Sequence, residues 1–114
     1  MADPLDYADK LDELSDIYLK LAGLENISNQ DRLTFNKLSD EFAMQGNSIR
    51  LDEFHKNTER LNALSQQLDF VNDDLNREIK KLKHLETQIQ AGVITLQIIA
   101  NIVQIGAKLA KYAA

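Results

Sequence analysis

The chain has 114 residues, 44% hydrophobic and 27% charged, with one Pro, four Gly and no Cys. That length allows one domain, the composition is globular rather than disordered, and the lack of Cys excludes disulfides and thiolate metal sites. The net charge of −5 is uneven: residues 1–54 carry 12 acidic and 5 basic side chains, residues 55–114 carry 6 and 8, and the acidic first half argues against a nucleic-acid partner.

The first residues, Met-Ala-Asp-Pro, lack the basic and apolar regions of a secretory signal. The expectation is a cytoplasmic protein or one exported by another route, with membrane association as the alternative. Helix 1 follows directly. Asp3 is placed to cap it, Pro4 suits its first position, and Asp6 and Asp9 sit where the helix dipole favours anions. Tyr7, Leu11, Leu14, Tyr18 and Leu21 form an apolar seam at 4/3/4/3 spacing, and Gly23 is positioned to end the helix. Residues 25–29 read as a loop.

Helix 2 is expected to start with Ser28, Asn29 or Asp31 as its cap, with Phe35, Leu38, Phe42 and Ile49 on its seam. Gly46-Asn47-Ser48 is a turn signal and predicts a break there. From that point the pattern becomes regular. Phe54, Leu61, Leu68, Leu75, Leu82, Ile89, Leu96, Val103 and Ala110 are each seven residues apart, and Leu64, Val71, Leu85 and Ile99 supply the second apolar position. That second position fails at Asn57, Glu78 and Gly92. Sustained heptads point to a coiled-coil-like helix or a helical bundle. Asn72-Asp73-Asp74 is a place where a new helix can start, but the heptad runs through it in phase and favours continuity.

A straight helix over residues 48–112 would be about 100 Å long at roughly 1.5 Å per residue. A compact chain of this size has a radius of gyration near 13 Å only. Either the helix folds back near Asn72 or the molecule is elongated and buries its seam on another chain; the expectation is the elongated, all-α form, with two short N-terminal helices and a long heptad helix. Its segments are an acidic two-helix part (1–47), an amphipathic heptad helix (48–86) and an apolar, charge-poor C-terminal helix (87–114). Together they make a single domain. The association seam is Phe54, Leu61, Leu64, Leu68, Val71, Leu75, Leu82, Ile89, Leu96 and Val103.

The 21 residues from Thr87 to Ala107 contain no charge. Gln90, Gln97, Asn101, Gln104 and Lys108, with Lys111 beyond, fall on one narrow helical stripe, and most of the remaining circumference is apolar. Such a helix must be buried in protein or in lipid. Val93, Ile94, Ile98, Ile99, Ile102 and Ile105 are the candidates for that buried surface. Its length is near the roughly 20 residues that a membrane span requires, while its Gln and Asn side chains favour a protein environment. Gly106, Ala110 and Ala114 have the small-xxx-small spacing that permits close helix contact.

Other clusters read as structural. The acidic run Asp3, Asp6, Asp9, Asp12, Glu13 and Asp16 lacks calcium-loop spacing. Arg77, Lys80, Lys81, Lys83 and His84 lie among Asp73, Asp74, Glu78 and Glu86, as on a solvated face. Asp52-x-x-His55 is half of a bundle metal motif without its second half. No catalytic motif stands out, so no enzyme activity, metal or cofactor is expected. The leading expectation is a non-enzymatic association protein that binds itself or another helical protein through its seam and C-terminal helix. An alternative is a membrane-active subunit, similar in architecture to α-helical pore-forming proteins, inserting residues 87–110 into lipid. A third is a small neutralising or chaperone protein for one dedicated partner.

Overall fold

The computed structural model describes residues 2–112, and these form four helices: α1 (Pro4–Ala22), α2 (Asn29–Phe54), α3 (Thr58–Gln90) and α4 (Leu96–Lys111). Three of the four starts are fixed by side-chain caps. Asp3 Oδ1 accepts from the Leu5 amide at 3.0 Å, Ser28 Oγ from Asp31 at 3.0 Å and Thr95 Oγ1 from Ile98 at 3.1 Å. Each satisfies an amide that has no partner within its own helix. At the α1–α2 loop, Arg32 donates to the carbonyls of Ala22 and Leu24 at 2.9 and 2.7 Å, tying off the end of α1.

The helices alternate in direction. Ser15 and Ser39 exchange hydroxyl-to-carbonyl bonds at 2.9 and 2.8 Å, and Arg50 reaches Asp9 and Asp12 at 2.9 and 2.7 Å, so α2 runs back along α1. Lys108 reaches Asp74 at 3.1 Å and Glu78 at 3.4 Å, and Gln67 donates to the Tyr112 carbonyl at 2.6 Å, so α4 runs back along α3. Lys83 pairs with Glu13 at 2.7 Å and Lys10 donates to Asn76 at 3.3 Å. That brings the acidic first helix beside the basic run of α3, at a partly exposed contact that contributes little energy.

The core holds Tyr18, Phe35 and Phe42, with ring centroids 5.9 and 5.6 Å apart along Tyr18–Phe35 and Tyr18–Phe42. Leu11, Leu14, Leu75, Leu82, Ile102 and Leu109 are fully buried around them. The radius of gyration is 14.7 Å and the molecule measures 44 × 24 × 18 Å.

Three sequence expectations are corrected. Helix α2 runs unbroken through Gly46-Asn47-Ser48 to Phe54, and Gly46 is buried against α1: a Cβ there would lie 3.4 Å from the Ala8 carbonyl oxygen and 3.1 Å from Asp12 Oδ1. The break falls at His55-Lys56-Asn57, where Lys56 takes φ 54°. The long heptad helix is divided at residues 91–95, where Gly92 takes φ 91°, whereas Asn72-Asp73-Asp74 lies inside α3. The chain folds back on itself as a bundle, so the roughly 100 Å rod that 1.5 Å per residue would give does not form.

Candidate functional site: a groove between α2 and α3

The heptad seam divides by location. Leu68, Leu75, Leu82 and Ile89 are buried in the chain's own core. Leu61, Leu64, Val71 and Val103 are half-buried against it. Phe54 and Leu96, at the ends of the bundle, are 79% and 88% exposed. Most of this seam therefore packs within one molecule.

The charge-free segment is likewise built into the bundle. Ile98, Ile99, Ile102 and Ile105 are buried, Ile94 is half-buried, and Val93 is exposed in the connection before α4. Gln90, Gln97, Gln104 and Lys108 are exposed and Asn101 half-exposed, so the polar stripe faces outward. Gln97 donates to Asn101 at 3.0 Å along it. Among the described residues no helix is long and apolar enough to cross a membrane. Gly106 and Ala110 pack inside the bundle, and Ala114 lies outside the described residues.

Polar contacts hold α4 along its length. The Tyr18 hydroxyl donates to the Ile102 carbonyl at 2.7 Å, and Gln45 donates to the Ala110 carbonyl at 2.8 Å. The Tyr112 hydroxyl donates to Asp74, and the Lys108 ammonium lies beside the same carboxylate. Tyr112 first and Lys108 second hold the Asp74 carboxyl below its ordinary range, because both stabilise its charged form. Burial raises the Tyr18 phenol above its ordinary value.

Helix α4 has 16 residues and α3 has 33. Where α4 ends, Gln45 and Gln67 hold its last carbonyls, and the α2–α3 pair continues without it. An open groove of about 920 Å³ lies along this pair, with Ile49 and Leu64 as its apolar side chains toward the core and Leu33, Met44, Lys37 and Asp40 along α2. Leu33 and Met44 are 69% and 70% exposed. Arg60 pairs with Asp52 at 3.6 Å near the α2–α3 turn. The arrangement suits an apolar helix face: an elongated trough with hydrophobic anchors and charged side chains along the rim.

These α2 residues did not enter the sequence expectation. The signal was present, since Leu33, Lys37, Asp40 and Met44 follow a 4/3/4 spacing one face away from Phe35, Leu38 and Phe42. Large apolar residues at Leu33 and Met44, off the face that Phe35, Leu38 and Phe42 turn to the core, are left over after the core is built.

Elsewhere, a smaller hollow of about 500 Å³ between α3 and α4 is lined by Glu78, Lys81, His84, Asn101, Gln104 and Lys108, among others. The acidic run of α1 and the histidines do not converge: among the described residues no three His, Asp or Glu side chains come together as a metal site. No family model, curated protein or solved structure matches this chain.

Proposed function

We propose that this protein is a non-enzymatic association module that takes up a helix along the α2–α3 groove. The observation that carries the reading is the groove itself, where Leu33 and Met44 stand exposed beside Ile49 and Leu64. Exposed apolar side chains grouped in a concave trough mark interaction sites more often than isolated ones do. In this reading the heptad seam and α4 act indirectly. They build the core that fixes α2 and α3 at the separation the trough needs, and the outer face of α2 makes the contact.

Site-specific photo-crosslinking in the native host tests this. A benzoylphenylalanine at position 44 is expected to give a discrete covalent adduct with a protein chain, and one at Leu19, on the outer face of α1, is expected to give none. Absence of an adduct at position 44, or equal yield at position 19, would overturn the groove as the binding surface.

A further inference from the structure

We infer that the occupant of the α2–α3 groove is a second copy of this chain, paired antiparallel through α2. The inference rests on the association reading above and is carried by the order of side chains on the exposed face of α2. Leu33, Lys37, Asp40 and Met44 occupy successive turns on that face, all four are exposed, and all four line the groove. A twofold axis crossing α2 between residues 38 and 39 places Leu33 against Met44 of the second copy. The same axis places Lys37 against Asp40 of the second copy, and symmetry repeats both pairs. An isologous contact requires this self-complementarity: if residue i meets residue j, then j meets i.

The result is a short antiparallel helix pair with an opposite-charge layer at its centre and an apolar layer on either side. Polar residues at single positions of such a seam fix register. Moving the axis to between residues 40 and 41 would set Asp40 against Glu41 of the second copy and leave Met44 over Lys37, so the charges select one alignment. Neighbouring charges leave the central pair available. Arg60 is engaged with Asp52, while Glu41, like Lys37, lines both this groove and the next hollow, which Lys111 also lines. In this alignment the second copy's α2 covers the groove from Leu33 to Met44, while Ile49 falls opposite residue 28 of the second copy, just before its α2 begins. With four side chains of each copy at its centre the contact is small, so the dimer is expected to be reversible.

Sedimentation equilibrium on the full chain tests the alignment, with circular dichroism to confirm that each variant is folded. Both charges are exposed, so their substitution leaves the core untouched. Lys37→Asp sets Asp against Asp across the axis and Asp40→Lys sets Lys against Lys, and each is expected to weaken dimerisation by at least about tenfold. The double variant Lys37→Asp/Asp40→Lys restores opposite charges in the reversed sense and is expected to recover the dimer. A wild-type chain that stays monomeric overturns the second copy as occupant, while crosslinking at position 44 separately decides whether the groove binds anything. A dimer insensitive to the single swaps, or one the double swap fails to restore, overturns this pairing.

Discussion

At Gly106 the space around one hydrogen decides how α4 sits. A Cβ there would lie 2.6 Å from the Tyr18 hydroxyl oxygen and 2.7 Å from Leu38 Cδ1, both belonging to core side chains with little room to move. Gly106→Ala is expected to destabilise the fold by about 1–3 kcal/mol in urea unfolding, as overpacking does. A loss below a few tenths would show that α4 shifts freely. Tyr7 is the opposite case. Its ring is buried but its hydroxyl has no hydrogen-bond partner among the described residues. Burial, with a smaller contribution from Tyr112, pushes its pKa up to about 12. Tyr7→Phe removes an orphaned polar atom while filling the same space, so stability at neutral pH should be unchanged or raised by about 1 kcal/mol. The folded protein favours the neutral phenol. The corresponding stability is fully present below the unfolded pKa near 10 and is lost as pH rises through 12. Tyr7→Phe should therefore flatten the alkaline part of the stability profile, and an unaltered profile would contradict the assignment.

At the scale of elements, the three places where the heptad fails each have a structural reason. Asn57 is the residue before α3, Gly92 takes a positive φ in the connection to α4, and Glu78 is a buried carboxylate beside Lys108 and Lys81. Local signals misled where packing outweighed them. Gly46-Asn47-Ser48 has turn chemistry, but closeness to α1 uses the missing Cβ inside a continuous helix. Gly46→Ala should recover about 1 kcal/mol of helix propensity against contact with the movable end of Asp12. Its net effect is expected to be smaller than that of Gly106→Ala by about 1 kcal/mol or more in the same unfolding assay. The end of α4 has a pH dependence of its own. Because the folded state lowers the Asp74 pKa from 3.8, the contribution of this contact is present above that value and fades as pH falls below it. The Tyr112 ring signals in an acid NMR titration should report that loosening, and Asp74→Asn should remove the inflection.

For the molecule as a whole, the sequence supports the all-α class, the start of each N-terminal helix and the burial of the charge-free segment. It does not distinguish a seam that pairs with another chain from one that pairs with the chain's own helices, because both need the same apolar spacing. The missing information is where the chain reverses. Reversals at residues 55–57 and 91–95 turn one long pattern into antiparallel neighbours, and only then are Leu33 and Met44 on α2 left uncovered. This makes a discriminating prediction about the seam. Leu82 is fully buried within one molecule, so Leu82→Ala should lower unfolding stability by about 2–5 kcal/mol, at any protein concentration. Phe54 and Phe70, 79% and 93% exposed, should change it by no more than about 0.5 kcal/mol as alanines, although hydrophobicity alone ranks them above Leu82. If the seam were instead an intermolecular interface, the Leu82→Ala loss would depend on protein concentration and the variant would dissociate before it unfolded. Chemical denaturation at two well-separated concentrations tells these apart, since a core residue shifts the midpoint equally at both.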